Sequence, residues 1–358
     1  MARIVPLILI VAVLLTGCSL GGSNYTSSFF ATEYQEFKNT KEASDDTKDN
    51  NPEAATGDNS NTADSVNHKN VGTYEDDDID FMYEKICYST NDTSVPELDQ
   101  ESVYKSALAF NINTTEILYS QNMHETVYPA STTKLMTALL AIKHCDMDDI
   151  VRIDEDNCGI TLKGAQLCGF AAGDTITVRD LLYCLLVYSG NDAALAIAKH
   201  VAETEHSFVR MMNNEAKLLG CINTSFVNPH GLHDPNHYTT AYDMYLIFNE
   251  CLRYDALKEI FKSNGYTVTM HTETGEEKEL YMEPTNLYFM GNYEAPYGIN
   301  VYGGKTGDTV SAGKCLMLYS EDFDGQGFIT EVFGTSTKEE LYTSMNRIFN
   351  YILQPRLE

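Results

Sequence analysis

Three short patterns in this chain combine residue types that can pass a proton and hold an anion. In Ser131-Thr132-Thr133-Lys134 a hydroxyl and an amine stand three positions apart. On a helix that spacing puts both side chains on one face. A lysine taken out of water loses its preference for the charged form. Its neutral amine can then accept a proton from the hydroxyl and turn Ser131 into a nucleophile, with Lys134 as general base. In Ser189-Gly190-Asn191 the hydroxyl can relay a proton to a leaving amine. The Asn191 amide, with one acceptor and two donors, can hold a peptide group or orient Lys134. In Lys305-Thr306-Gly307 a cation and a hydroxyl suit a carboxylate. Gly307 lets a substrate backbone come close. Nucleophile, base, relay and anion clamp are the roles acyl transfer requires.

Context separates these patterns from chance matches. A second Ser-x-x-Lys runs from Ser311 to Lys314, and Ser-x-Asn also occurs at Ser65-Val66-Asn67, Ser89-Thr90-Asn91 and Ser344-Met345-Asn346. Ser131 alone follows Pro129 and opens an apolar run, Leu135 to Ile142, that reads as a helix. A helix N-terminus offers free N–H groups and partial positive charge, which favours a nucleophile about to carry an oxyanion beside it. Ser311 falls in a glycine-containing turn. Val178 to Tyr188 and Ala193 to Val201 read as two helices broken at Ser189-Gly190-Asn191, and Lys305-Thr306-Gly307 is expected to precede a strand. Further helices are expected over Phe208 to Leu219, Thr240 to Leu252 and Lys338 to Leu353.

Strand patterns occupy both ends of this region. Ser106 to Phe110 and Ile117 to Ser120 flank the hairpin signal Asn113-Thr114-Thr115, and Cys315 to Tyr319 and Phe328 to Phe333 follow Lys305. Strands at the ends with helices between predict an α+β fold. An antiparallel sheet built from both ends would have helices packed on it.

The 358 residues carry a formal net charge of -28. Such a balance excludes nucleic acid, whose phosphates demand Lys and Arg, and gives no attraction to anionic lipid headgroups. Arg3 precedes an apolar run from Ile4 to Leu15, too short to span a bilayer and patterned like a secretory signal. Leu15-Thr16-Gly17-Cys18 resembles the lipobox of bacterial lipoproteins. Residues 1–18 are therefore expected to be a lipoprotein signal, with Cys18 as the lipidated residue. Residues 19–94 are rich in Asn, Asp, Glu, Ser and Thr and read as a disordered acidic tether, with an r.m.s. reach of about 45–50 Å. Phe81 to Tyr88 is less polar and is a candidate for docking on the domain. Residues 95–358 are expected to form the catalytic domain.

Longer strings extend the resemblance. Tyr128-Pro129-Ala130-Ser131-Thr132-Thr133-Lys134-Leu135-Met136-Thr137 is similar to the active-site segment of the low-molecular-weight penicillin-binding proteins, the serine D-alanyl-D-alanine carboxypeptidases of peptidase family S11. So are Asn228-Pro229-His230-Gly231-Leu232, His237 to Asp243, and Gly304-Lys305-Thr306-Gly307 with Ala312-Gly313-Lys314-Cys315 after it. The resemblance runs from about Ser106 to Tyr351. It implies a penicillin-binding, serine β-lactamase-like fold with the site between the sheet and the helical subdomain. It also implies an acyl-enzyme on Ser131 that removes the terminal D-Ala of a peptidoglycan stem peptide ending in D-Ala-D-Ala, and β-lactams as covalent inhibitors. The backbone N–H groups of Ser131 and Asp308 would form the oxyanion hole. Family members often carry a C-terminal β-domain; with Glu358 so soon after the last expected helix, none is expected here. The implied location is extracytoplasmic, held to the membrane through the N-terminal lipid.

Rival readings differ in single features. No Glu-x-x-Leu-Asn string lies between Ser-x-Asn and Lys-Thr-Gly, which disfavours a β-lactamase. Endopeptidase or transpeptidase action would use the same acyl-enzyme, and a non-catalytic wall-binding lipoprotein would lack it. His230, His233, Asp234 and His237 mimic a metal cluster, but Gly231 and Pro235 break helical spacing. They are read as a structural loop, with neither metal nor cofactor expected. Eight cysteines follow Cys18 without a Cys-x-x-Cys pair, so a zinc ribbon is excluded. Cys184 and Cys315 sit in apolar runs, and Cys158 and Cys168 are the close pair.

Overall fold

The computed structural model describes residues 87–158 and 165–354. The lipobox, most of the acidic tether and the thiol of Cys158 lie outside the described residues, and with that thiol any pairing to Cys168.

The larger sheet is antiparallel with strand order β2-β1-β9-β8-β7. It unites β1 (Ser106–Asn111) and β2 (Glu116–Gln121) from one end of the domain with β7 (Ile299–Thr309), β8 (Gly313–Asp322) and β9 (Gly327–Thr335) from the other. The pairing of β1 with β9, Ala107 opposite Val332 and Ala109 opposite Thr330, closes the two ends on each other. Every residue of β1 is buried, and all but one of β9. Polar alternation fails there because helices cover both faces. The C-terminal helix lies on one face, where Leu341, Met345, Ile348 and Phe349 meet Ala107, Leu316, Leu318 and Val332. The helix Ala241–Cys251 lies on the other, with the Tyr245 ring 4.5 Å from that of Phe110.

Besides two four-residue turns of helix, Pro96–Asp99 and Glu155–Cys158, the helices in chain order are α1 (Lys134–His144), α2 (Val178–Tyr183), α3 (Asn191–Ala202), α4 (Glu205–Leu218), α5 (Ala241–Cys251), α6 (Asp255–Phe261) and α7 (Lys338–Ile352). Threonines start several of them. Thr177, Thr204 and Thr240 each accept from the N3 backbone N–H, and Thr337 forms a full capping box with Glu340. α1 is enclosed on all sides, with every residue from Lys134 to Ala141 buried. Unlike a surface helix, it is wrapped by α3, α4 and α5.

Several local expectations are corrected. Ser131 lies not in the helix itself but in a 3-10 turn, Ala130–Thr133, that runs straight into α1. The expected helix over Val178 to Tyr188 is α-helical only to Tyr183. A π turn, Cys184–Tyr188, then ends at Ser189 in the left-handed region, φ 71. Such widened turns mark functional sites more often than plain helix does. Lys305-Thr306-Gly307 lies inside β7 rather than ahead of a strand, and Ser311 sits in the turn between β7 and β8. A second sheet went unread, with order β3-β4-β5-β6: Ile150–Arg152, Thr175–Thr177, Tyr266–His271 and Glu277–Met282. Its strands of three and six residues are half exposed and carry little hydrophobic signal.

Contacts with the domain begin upstream of Val95. The Cys87 N–H donates to Tyr245 Oη, Tyr242 Oη donates to the Cys87 carbonyl, and Asp92 accepts from the N–H groups of Asn122 and Met123. Residues 87–94, read as tether, thus lie against β2 and α5. The seven described cysteines are free thiols, and Cys184, Cys221, Cys251 and Cys315 are buried.

Candidate active site

The chain N-terminal to α1 is bent sharply so that Ser131 can face Lys134. Ala130 holds a left-handed φ of 49 although it carries a side chain, a conformation that costs about 1–3 kcal/mol and persists only where its surroundings enforce it. Four neighbours do so. The hydroxyls of Thr132 and Thr133 bond back to the carbonyls of Pro129 and Ala130 at 2.7 and 2.8 Å. Gly231, itself at φ +85, fits against Ala130, where a Cβ would stand 1.8 Å from the carbonyl oxygen. On the other side β7 presses in at Gly307, where a Cβ would lie 3.0 Å from the Pro129 oxygen and 3.1 Å from the Ala130 Cβ.

Lys134 is fully buried. Its Nζ lies 3.0 Å from Ser131 Oγ, 2.7 Å from Asn191 Oδ1 and 2.7 Å from the His230 carbonyl oxygen. No carboxylate salt bridge to it is recorded among the described residues. Burial therefore holds its pKa well below the usual lysine value, and the cation of Lys305 presses it down further. Asp192 and Cys168 oppose this more weakly. A neutral amine has two N–H donors and one lone pair. The two carbonyl oxygens can only accept, so they take the donors and leave the lone pair for the hydroxyl of Ser131. This arrangement can move a proton from Ser131 to Lys134.

Ser189 and Asn191 come from the junction of the π turn and α3. Ser189 is buried, and the N–H of Asn191 is held by the Gln166 carbonyl at 2.8 Å. Asp192 accepts from the backbone N–H groups of Cys168 and Gly169 at 3.0 and 3.1 Å, which binds the segment around Gln166–Gly169 to the start of α3. Lys305 is buried, donates to the Thr306 carbonyl at 2.9 Å, and has its pKa pushed down to about 7 by burial. The Thr306 hydroxyl shares a 2.7 Å hydrogen bond with Thr285. Asp308 points its carboxylate outward to Lys314 at 2.7 Å, leaving its backbone on the strand.

Ser131, Lys134 and Asn191, from two separate stretches of sequence, thus meet at one place, with Ser189 two residues from Asn191 and Lys305 near enough for its charge to act on Lys134. Sequence reasoning missed the carbonyl of His230. It treated the Asn228–Leu232 loop as structural, yet that loop supplies the third contact of Lys134. Main-chain acceptors leave no mark in side-chain identity. The ring nitrogens of the histidines do hold structure. His230 Nδ1 accepts from the Leu232 N–H, His237 Nδ1 from the Val227 N–H, and His237 Nε2 meets the Thr133 hydroxyl at 2.8 Å. Burial pushes the two rings down to about 3 and about 4. Thr285 was missed as well, because it lies outside every motif.

Comparison with protein families matches residues 90–337 to peptidase S11, D-alanyl-D-alanine carboxypeptidase. The chain belongs to this family. Among relatives of known activity, it is 34% identical over 252 residues to the D-alanyl-D-alanine carboxypeptidase DacF of Bacillus subtilis, covering 69% of this chain and 61% of that one. It is 29% identical over 246 residues to DacC of Escherichia coli, covering 66% and 58%. The chain thus spans about three fifths of the length of these relatives. Among solved structures, a Streptomyces DD-transpeptidase superposes with a TM-score of 0.65 at 27% identity, covering 70% of this chain and 96% of that one. Penicillin binding protein 5 of Haemophilus influenzae gives 0.63 at 27%, covering 72% of each. The fold is that of the penicillin-binding DD-peptidases, an α+β architecture.

Proposed function

We propose that this chain is a serine-type D-Ala-D-Ala carboxypeptidase that removes the terminal D-Ala from peptidoglycan pentapeptides. The observation that carries the reading is the Lys134 amine, buried with no carboxylate salt bridge among the described residues and 3.0 Å from Ser131 Oγ. Lys134 takes the seryl proton as Ser131 attacks the carbonyl between the two D-alanines. The developing oxyanion is received by the backbone N–H groups of Ser131 and Asp308. Ser189 passes a proton to the departing D-Ala, with Asn191 holding Lys134 in line. Lys305 and Thr306 bind the terminal carboxylate, and Gly307 lets the substrate strand lie along β7. Water then releases the shortened peptide. β-Lactams, which mimic the dipeptide, acylate Ser131 by the same route.

Fluorescent penicillin tests the acylation step. Native protein is expected to label covalently and Ser131→Ala not at all; equal labelling of both would refute the assignment. Release of D-Ala from a pentapeptide then tests the hydrolytic reading. The alternative rests on the Streptomyces relative, named a DD-transpeptidase. If an added amine captures the acyl group in preference to water, the chain is a transpeptidase with the same machinery.

The proposal extends to location. The enzyme acts outside the cytoplasm, held by a lipid on Cys18 at the end of residues 19–94. No helix of the described residues is long and apolar enough to cross a membrane. The mass of the mature N-terminus is the check: an unmodified N-terminus upstream of Cys18 would overturn the lipid anchor.

A further inference from the structure

The chemistry of Ser131 occupies one end of α1 and α3. The other ends of the same two helices carry a second constellation. Cys145 is the C-terminal cap of α1, its N–H bound to the Ala141 carbonyl at 2.9 Å. His200 stands in the last turn of α3. Asp149 precedes β3, held in place by three contacts with backbone: its Oδ2 accepts from the Asp146 N–H at 3.0 Å, its N–H donates to the Asp146 carbonyl at 3.1 Å, and its carbonyl accepts from the Val178 N–H at 3.0 Å. One thiol, one imidazole nitrogen and one carboxylate oxygen from these residues all lie within 4.8 Å of one another. His200 Nε2 and Asp149 Oδ2 are 3.8 Å apart.

We propose that Cys145, Asp149 and His200 bind a divalent zinc ion, with water as the fourth ligand. Sulfur, nitrogen and oxygen donors in a set of three fit zinc, whereas calcium and magnesium take all-oxygen sets. Zinc bonds of about 2.0–2.3 Å require the donor atoms to stand about 3.3–3.7 Å apart. The observed donors, within 4.8 Å of one another and 3.8 Å apart for His200 and Asp149, stand close to that spacing. Burial, with the carboxylates of Asp149 and Asp146, pushes the Cys145 thiol up to about 11, so the metal must displace that proton to solvent as it binds, and the two carboxylates favour a cation there. The side chains of His200 and Asp149 are 28% and 43% exposed, which leaves an entry path.

The consequence is mechanical. α1 opens with Lys134 and ends at Cys145, and α3 opens with Asn191 and has His200 near its end. An ion joining the far ends fixes how the helices lie against each other. That relation sets the 2.7 Å contact of Lys134 Nζ with Asn191 Oδ1, about 16 Å away at 1.5 Å of rise per residue. The ion touches neither substrate nor Ser131, so its loss is expected to loosen the helix pair rather than stop acylation.

Cobalt(II) is the probe, added to the full chain after chelator treatment. A near-ultraviolet thiolate-to-cobalt band is expected, removed by one equivalent of zinc and absent in Cys145→Ser. His200→Gln, at the exposed end of α3, should weaken cobalt binding by about tenfold or more. Zinc should raise the melting temperature of the native chain, raise that of His200→Gln less at the same concentration, and leave that of Cys145→Ser unchanged. Fluorescent-penicillin labelling should persist in metal-free Cys145→Ser, which separates this proposal from the acylation reading. No thiolate band in the native chain, or a band of equal strength in Cys145→Ser, would overturn the site; so would undiminished cobalt affinity in His200→Gln.

Discussion

Two lysines, one buried and one half-buried, leave the same helix nine positions apart and meet opposite fates. Lys134, at the first turn of α1, contacts a hydroxyl and two carbonyl oxygens, and burial drives it toward the neutral form. Lys143, in the last turn, lies 2.6 Å from Glu215 and 3.1 Å from Glu250. The charges of those carboxylates outweigh its burial and hold its pKa above the usual lysine value. Burial alone therefore does not define a base. The partner decides: a carbonyl leaves the amine free to lose its proton, and a carboxylate holds the proton in place. Arg253 completes the structural cluster at 3.0 Å from Glu250.

The comparison breaks most sharply at Lys134. Lys134→Arg keeps a cation in place but cannot give a neutral base. It should slow β-lactam acylation by about 10²–10⁴-fold, the usual contribution of a general base. An unchanged acylation rate would remove Lys134 from the role. Lys143→Met should do the reverse. It leaves Glu215 and Glu250 buried without their shared cation and should cost about 3–5 kcal/mol of stability in denaturant unfolding. The acylation rate of the folded protein should stay near that of the native chain.

A smaller effect sharpens the contrast at Lys305, whose pKa burial pushes down to about 7. In the proposed mechanism Lys134 acts when neutral, so kcat/KM should rise with pH through its lowered pKa. In the same mechanism Lys305 binds the carboxylate when protonated, so kcat/KM should fall as pH climbs past about 7. Lys305→Gln should weaken substrate binding at neutral pH and abolish that alkaline fall; a profile unchanged in shape would refute the clamp.

The smallest effect is expected at Glu331, buried in the middle of β9 with both carboxyl oxygens unpartnered among the described residues. Desolvation raises its pKa well above the carboxylate range. It thus folds as the neutral acid. The stability it contributes is complete below about pH 4.3, the unfolded value, and is lost as pH rises toward the folded value. Glu331→Gln should match the native chain to within about 1 kcal/mol near pH 5 and exceed it at pH 9. Parallel stability curves would show the carboxyl to be ionised in the fold.

Much of the architecture was readable because it is written in local patterns. Short strand-like runs and turn residues marked β1, β2, β8 and β9, and apolar runs marked the helices other than α6, most of them within a few residues at each end. The second sheet escaped because Ile150–Arg152 and Thr175–Thr177 are too short to show a period. The helix after Val178 was over-read because a π turn differs from an α turn by one hydrogen-bond step, which side-chain identity does not encode.

The kinds of chemistry available to this protein follow from residue type and spacing, since a hydroxyl, an amine and an amide keep their reactivity wherever they sit. So does the family, because long ordered strings are linear features. Which lysine is neutral, why Ala130 bends and what the His230 carbonyl touches were decided only in three dimensions. Each depends on what segments distant in the chain leave around one amine, and desolvation is a property of the enclosure, not of the residue enclosed.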